Sequence, residues 1–376
     1  MTNDEILSKT INYLRFPLSV GIVFIHFSIT GGITIDGKTY GAENPEWFFF
    51  IVNFISQTLA RIGVPLFFLF SGFLFFYNKV FNIGVYKQKL RSRVMTLLIP
   101  YILWNTIALI WQLKCFIPIF SSFYHPVEIH FSLIRFFYTY FCNTYHSGII
   151  LGPPYYPDDR FYPIDGPLWF VRDLLVMVAI SPIIYWVVKR RGILPVMFLG
   201  ILWLFSTLAI PRGIGYLNQL VTAAFFFSWG AYYSLFNRNF VLSFRNFRYS
   251  PIFYIITALL DALTKGQVYN DYFHKIGILL GIVSVVVMVS CLIEYEKVRV
   301  NKTLANSSFF IFALHFLFIN ELGKILFVLF GMPDDPYAML ALYIVVPILT
   351  TLICLGLYVL LKNYLPKICY LLTGGR

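Results

Sequence analysis

The chain has 376 residues, of which 59% are hydrophobic, 20% aromatic and only 12% charged, whereas an ordinary globular domain carries about 25% charged residues. Such a balance excludes a typical water-soluble domain and calls for lipid as the solvent. The formal charge of +12 is spread over short clusters between apolar runs; with no continuous basic stripe, it excludes a nucleic-acid reader and acts as a topology signal.

From the N-terminus, Met1 to Thr10 are polar and the apolar run that follows lacks a small-residue cleavage site, so the first helix is expected to stay as an uncleaved anchor. A bilayer core of about 30 Å needs roughly 20 apolar residues per helix. Ten segments approach that length, at 11–29, 62–77, 94–113, 168–188, 193–210, 220–236, 251–263, 275–293, 304–330 and 337–361. The second is expected either to reach back to Trp47 or to kink at Pro65. These segments predict an all-α, polytopic transmembrane helix bundle of about ten spans, one domain over 1–376 with no appended soluble domain.

Placing the N-terminus in the cytoplasm leaves nineteen Lys and Arg residues on the inner side and eight outside. Most loop acids, among them Asp36, Glu43, Asp158 and Asp334, fall outside. The positive-inside rule therefore predicts that both termini are cytoplasmic. The longest non-spanning stretch, 116–167, is expected outside, with its half-apolar piece 129–141 lying in the interface. The five cysteines have no paired spacing and suggest neither a disulfide framework nor a zinc site.

Ionisable groups within spans mark candidate sites. Arg15 and His26 are eleven positions apart; at about 100° per residue they share a helix face, and at about 1.5 Å per residue they are separated by about 16 Å. A cation near the cytoplasm with a titratable base far above it suits an elongated anionic cofactor. A snorkelling arginine and a packed core histidine fit the same two residues. Asn53, Gln57 and Arg61 recur every fourth residue and would line one helix face. Ser71 and Gly72 are small enough for a neighbouring helix or a thin ligand arm to approach.

Next comes the basic run Lys87, Lys89, Arg91 and Arg93, where the two arginines flank Ser92 and could fork onto phosphate. Positive-inside signalling explains the lysines equally well. Asp165 and Trp169 open the fourth segment, where a carboxylate and an aromatic face could hold a sugar; Trp is also an ordinary interface residue. His315 is about 18 Å along its helix, at the depth of His26, so the two could meet across the bundle. His125, His130, His146 and His274 read as loop or helix-end residues without ligand spacing. No metal ligand set, Walker motif, dinucleotide fingerprint or nucleophile elbow is found.

With these residues in hand, the chain resembles the membrane acyltransferase-3 family, the ten-helix enzymes that O-acetylate bacterial surface glycans. The resemblance rests on Arg15 and His26 with ten residues between them, and on Arg91-Ser92-Arg93 followed by Ile99, Pro100, Tyr101 and Trp104. Looser matches are Phe67-Phe68 with Ser71-Gly72, Leu168-Trp169-Phe170, and Ser307, Ser308, Phe309 and His315. It implies that His26 is the catalytic base and that Arg15, Arg91 and Arg93 hold acyl-CoA, acetyl-CoA in the first instance. The acceptor would be a carbohydrate or glycolipid, met near Trp169, Asp165, Arg61 and His315, at a bacterial inner membrane. Many members carry a further extracytoplasmic hydrolase-like domain, which this sequence does not show. The competing reading is an exporter of a polysaccharide or lipid-linked sugar, for which one expects an internal repeat or paired interrupted helices; neither is found. A scaffold or sensor in an envelope-synthesis complex is a further alternative.

Overall fold

Thr2 sets the start of the first helix. Its hydroxyl accepts from the Glu5 N–H at 3.2 Å while the Glu5 carboxylate accepts from the Thr2 N–H at 2.9 Å, a capping box that satisfies two otherwise unpaired donors. The computed structural model describes residues 1–35, 37–77, 80–112, 140–141, 162–209 and 215–375. Helix α1 (Asn3–His26) is followed by a short antiparallel hairpin of β1 (Ile33–Ile35) and β2 (Lys38–Tyr40), with Ile33 opposite Tyr40. The Gly41 N–H then donates to Asp334 at 3.1 Å, tying the hairpin to the far end of the chain.

The helices that follow are α2 (Glu46–Val52), α3 (Gly63–Phe76), α4 (Ile83–Arg93), α5 (Ile99–Gln112), α6 (Trp169–Ala179), α7 (Ser181–Arg191) and α8 (Leu194–Leu204). Then come α9 (Ser206–Ala209), α10 (Gly215–Leu235), α11 (Phe240–Arg245), α12 (Ser250–Leu263), α13 (Asn270–Glu294), α14 (Lys302–Leu329), α15 (Pro336–Tyr364) and α16 (Pro366–Thr373). Each of the ten apolar segments falls mostly on helix where its residues are described. By length and apolarity, six stretches among the described residues qualify as membrane spans: Asn3–Gly31, Glu46–Phe76, Ile83–Trp111, Asn270–Glu294, Lys302–Leu329 and Pro336–Tyr364. A seventh is the pair Gly166–Ala179 and Ser181–Arg191, bent by 64°, and Leu194–Leu204 and Ser250–Leu263 are shorter apolar helices. The protein is an all-α membrane bundle.

Two departures from regular helix have local causes. The expected single helix over 168–188 breaks at Ile180, because Pro182 at the start of α7 has no N–H to bond back to Val178. The stretch from Trp47 is continuous with α3, but its irregularity lies upstream of Pro65. A π-helical run, Asn53–Leu59, and a 3-10 turn, Ala60–Ile62, precede α3, and Pro65 sits in that helix's tolerant first turn. The stretch 116–167 is largely outside the described residues, as are Lys114, His125, His130, His146, Asp158, Asp159 and Arg212.

The centre of the bundle is the pair α3 and α10. A Cβ on Gly72 would strike the Phe227 carbonyl, and one on Gly230 would strike that of Leu69. The two backbones touch, as small residues allow in lipid, where close packing replaces the hydrophobic drive between helices. Around them α1 packs on α14, and α14 on α15.

Candidate active site

Arg15 and Ser19 line an inner cavity of about 150 Å³, together with Phe67 and Ser71 of α3, Arg93 at the end of α4, and Asn306 and Ser308 of α14. Neither the Arg15 nor the Arg93 guanidinium has a carboxylate partner among the described residues. Two half-buried cations facing one space make an anion site, since each would otherwise have given up water without compensation. Arg91 is exposed and does not line this cavity. It lies two residues before Arg93, about 200° around the helix, so the pair cannot face the same way.

His26, the last residue of α1, lines a second, outer cavity of about 440 Å³ with Arg61, Tyr162, Trp169, Thr222, His274 and Lys275. Its ring lies 5.3 Å from that of His315 and 5.1 Å from Phe316, centroid to centroid. No hydrogen bond to the His26 ring is made by the described residues, so a nitrogen is available to a ligand hydroxyl. His315 is wholly buried, and its Nδ1 stands 3.0 Å from the Ile311 carbonyl. A carbonyl only accepts, so Nδ1 carries the proton and the buried Nε2 is left an unpartnered acceptor beside His26. The two histidines meet across α1 and α14, but His315 stands behind His26 and outside the cavity lining.

Phe312 lines both cavities. It packs edge-on against Phe170 at 5.9 Å, and Phe170 in turn against Phe68 at 4.6 Å. Trp169 and Phe170, about 100° apart on α6, face the outer and the inner cavity respectively. Aromatic edges thus line the junction of the two spaces, with His26 on one side and Arg15 and Arg93 on the other.

Asp165 is not where a sugar-binding carboxylate would be. It is wholly buried and does not line the outer cavity, whose wall is formed by the next two residues, Gly166 and Pro167. Its backbone N–H donates to the Asn105 side chain at 3.1 Å, which anchors this turn in the core. Both carboxylate oxygens lack a hydrogen-bond partner among the described residues, and burial pushes the carboxyl well above the ordinary carboxylate range. Arg61 does line the outer cavity, its Nε donating to Gln57 at 3.0 Å; Asn53 does not join them as a lining residue.

The residues that sequence reasoning missed are at the start of α13. His274 Nδ1 lies 3.0 Å from Asp261, which also accepts from Thr58 at 2.7 Å, Lys265 at 2.7 Å and Asn270 at 3.0 Å. Lys275 reaches Asp271 at 2.7 Å, Ser206 at 3.1 Å and Thr207 at 3.2 Å, clamping α13 to α9. The signal was present in the i, i+4 pair Asp271–Lys275, which extends the helix upstream of its apolar run.

The fold and these cavities define an integral-membrane helix bundle with two adjoining chambers, one lined by Arg15 and Arg93 and the other by His26. A family profile described as an acyltransferase domain matches residues 8–359. The chain belongs to this acyltransferase-3 family. It is also 26% identical over 260 residues to a succinoglycan biosynthesis protein of Rhizobium meliloti (strain 1021), covering 63% of this chain and 56% of that protein. The chain thus spans little more than half the length of this curated relative. No solved structure matches it.

Proposed function

We propose that this acyltransferase moves an acyl group, acetyl in the first instance, from cytoplasmic acyl-CoA to a hydroxyl of a carbohydrate or envelope glycan. The observation that carries this reading is the shared face of α1, which gives Arg15 to the inner cavity and His26 to the outer one. A donor phosphate held by Arg15 and Arg93 would have its arm directed along α1 toward His26. The sugar acceptor would enter the outer cavity, where Trp169 offers a ring face and Arg61 a guanidinium. A relative named for succinoglycan biosynthesis supports a polysaccharide acceptor.

In this mechanism His26 takes the proton from the acceptor hydroxyl as the oxygen attacks the thioester carbonyl. The C–O bond forms, the C–S bond breaks, and the thiolate receives its proton back from the imidazolium. His315 is a positioning residue: its Nε2 lone pair is available to the second N–H of the His26 ring. Direct transfer is preferred over an acyl-enzyme because, among the described residues, no Ser or Cys lines the outer cavity with His26. The chain is read as a single domain in the inner membrane, with about ten spans and both termini cytoplasmic, because its inner loops hold the excess of Lys and Arg. The test is transfer of labelled acetyl from acetyl-CoA to envelope polysaccharide by detergent-purified protein. Label appearing as alkali-labile ester on the glycan is expected; tight polysaccharide transport into vesicles with no ester formed would overturn the proposal in favour of an exporter.

A further inference from the structure

A third cavity, of about 610 Å³, lies at the N-terminal end of α1 and is lined by Lys9, Arg299 and Lys302 with one acid, Glu296. It shares Ala305 and Asn306 with the inner cavity. No carboxylate pairs with Lys9, Arg299 or Lys302 among the described residues; the one polar neighbour of Lys9 Nζ is the Met1 sulfur at 3.1 Å. Loop cations that serve only to set topology have no reason to converge on a concave surface.

The three cavities lie in series along two facing stripes. On α1 the lining residues are Lys9 and Asn12, then Arg15 and Ser19, then Ile22 and His26. On α14 they include Lys302, Ala305, Phe309, Phe312 and Phe316 in the same order, with Asn306 and Ser308 beside them. Steps of three and four keep each set on one side of its helix, and the two helices pack on each other. We infer that the cavity at Lys9, Arg299 and Lys302 is the subsite for the adenosine 3′-phosphate of the acyl donor, the entrance to a conduit that runs along the α1–α14 groove to His26.

This rests on the acyl-CoA reading above, and the axial distances agree with it. From diphosphate to sulfur the pantetheine arm has about twelve bonds, an extended reach of roughly 14 Å. Arg15 and His26 are about 16 Å apart along α1. With the diphosphate at Arg15 and Arg93, the adenosine end lies on the side of Lys9, which is a further six residues, or about 9 Å, along the helix. That end carries its own dianionic phosphate, and three unpaired cations are waiting for it. The phosphate of an anionic lipid headgroup shares this chemistry and is the alternative source.

The experiment measures binding of CoA and of dephospho-CoA, which lacks only the 3′-phosphate, to the full chain in lipid-free detergent. It then repeats both for the variant Lys9→Gln, Arg299→Gln, Lys302→Gln. Wild type is expected to prefer CoA over dephospho-CoA by roughly tenfold, the sum of three exposed charge contacts, and the variant to lose that preference. The preference for acetyl-CoA over acetyl-pantetheine as donor should fall in parallel. A variant that keeps the wild-type discrimination overturns the inference while leaving the acyl-CoA reading intact. So does one that loses co-purifying phosphatidylglycerol but not CoA discrimination, which assigns the cavity to lipid. Wild-type protein that binds no CoA at all overturns both.

Discussion

Neutralising the three arginines one at a time should separate two that face a cavity from one that does not. Arg15 and Arg93 are half-buried, line the same chamber of about 150 Å³, and have no carboxylate to fall back on. A charge-assisted hydrogen bond in such a place is worth roughly 1.5–3 kcal/mol. Arg15→Gln and Arg93→Gln should therefore each raise the acyl-CoA dissociation constant by about ten- to a hundredfold. Because both serve one anion, the double variant should fall short of the product of the singles, with a coupling of about 0.5–3 kcal/mol. Arg91 is exposed, so Arg91→Gln is limited to the range of a solvent-screened pair, about 0.2–1 kcal/mol, or a two- to fivefold loss at most. The assay is calorimetric titration of CoA into detergent-purified variants whose size-exclusion profiles match the parent. Equal losses at all three positions, or strict additivity of Arg15 with Arg93, would refute the shared-chamber argument.

The histidine should fail in a different way: His26→Ala removes a general base worth about 10²–10⁴ in rate, so turnover collapses while CoA binding changes only a few-fold, and retention of wild-type turnover would remove His26 from the chemistry. Asp165 supplies a pH signature. Its folded carboxyl titrates well above the ordinary range through burial, so below about pH 4 both states are protonated and no penalty exists, whereas at higher pH the unfolded chain ionises first and stability declines. Asp165→Asn should thus gain in melting temperature over the parent progressively as the pH rises above about 4; a difference that stays flat as the pH rises would count against a neutral buried carboxyl. Gly72→Ala forces a methyl into the Phe227 carbonyl and should cost about 1–3 kcal/mol by overpacking, read as a lower melting temperature or as aggregation, while Ser71→Ala at the neighbouring position should not.

The parts of this architecture that were legible in the sequence are those governed by regular helix geometry. The eleven-residue interval between Arg15 and His26 is close to three whole turns, so a shared face follows from the period alone, and α1 keeps that period from Asn3 to His26. The small pair Ser71–Gly72 announced a close helix contact, although not that Gly72 meets the backbone of Phe227 on α10. Where the period changes, the reading fails. Asn53, Gln57 and Arg61 presuppose an α-helix; Gln57 and Arg61 do meet, but the π-helical run Asn53–Leu59 interrupts the period and Asn53 does not line the outer cavity with Arg61. His274 was set aside as a helix-end residue because apolarity defined the segment, whereas Asp271, His274 and Lys275 form a polar first turn of α13. Asp165 was expected at a cavity mouth from its neighbour Trp169, yet a turn of 3-10 helix, Gly166–Leu168, separates them and turns the carboxylate inward. The hairpin went unread, although Asp36-Gly37 between Ile33-Thr34-Ile35 and Lys38-Thr39-Tyr40 is a two-residue turn signal.

The backbone contact between α3 and α10 also bears on how the protein is made. Gly72 and Gly230 are about 160 positions apart in the chain, and at about 5–20 residues per second a ribosome takes roughly 8–30 s to cover that distance. Throughout that interval α3 is in the bilayer with a groove that only α10 can fill. The inner cavity takes Phe67, Phe70 and Ser71 from α3 and Phe227 from α10, so this cavity does not exist until the second half of the chain has been inserted. A ribosome stalled before Gly230 would leave a membrane intermediate that holds Arg15 and His26 in place along α1 but has no closed space between them, and such an intermediate would neither retain donor nor hydrolyse it.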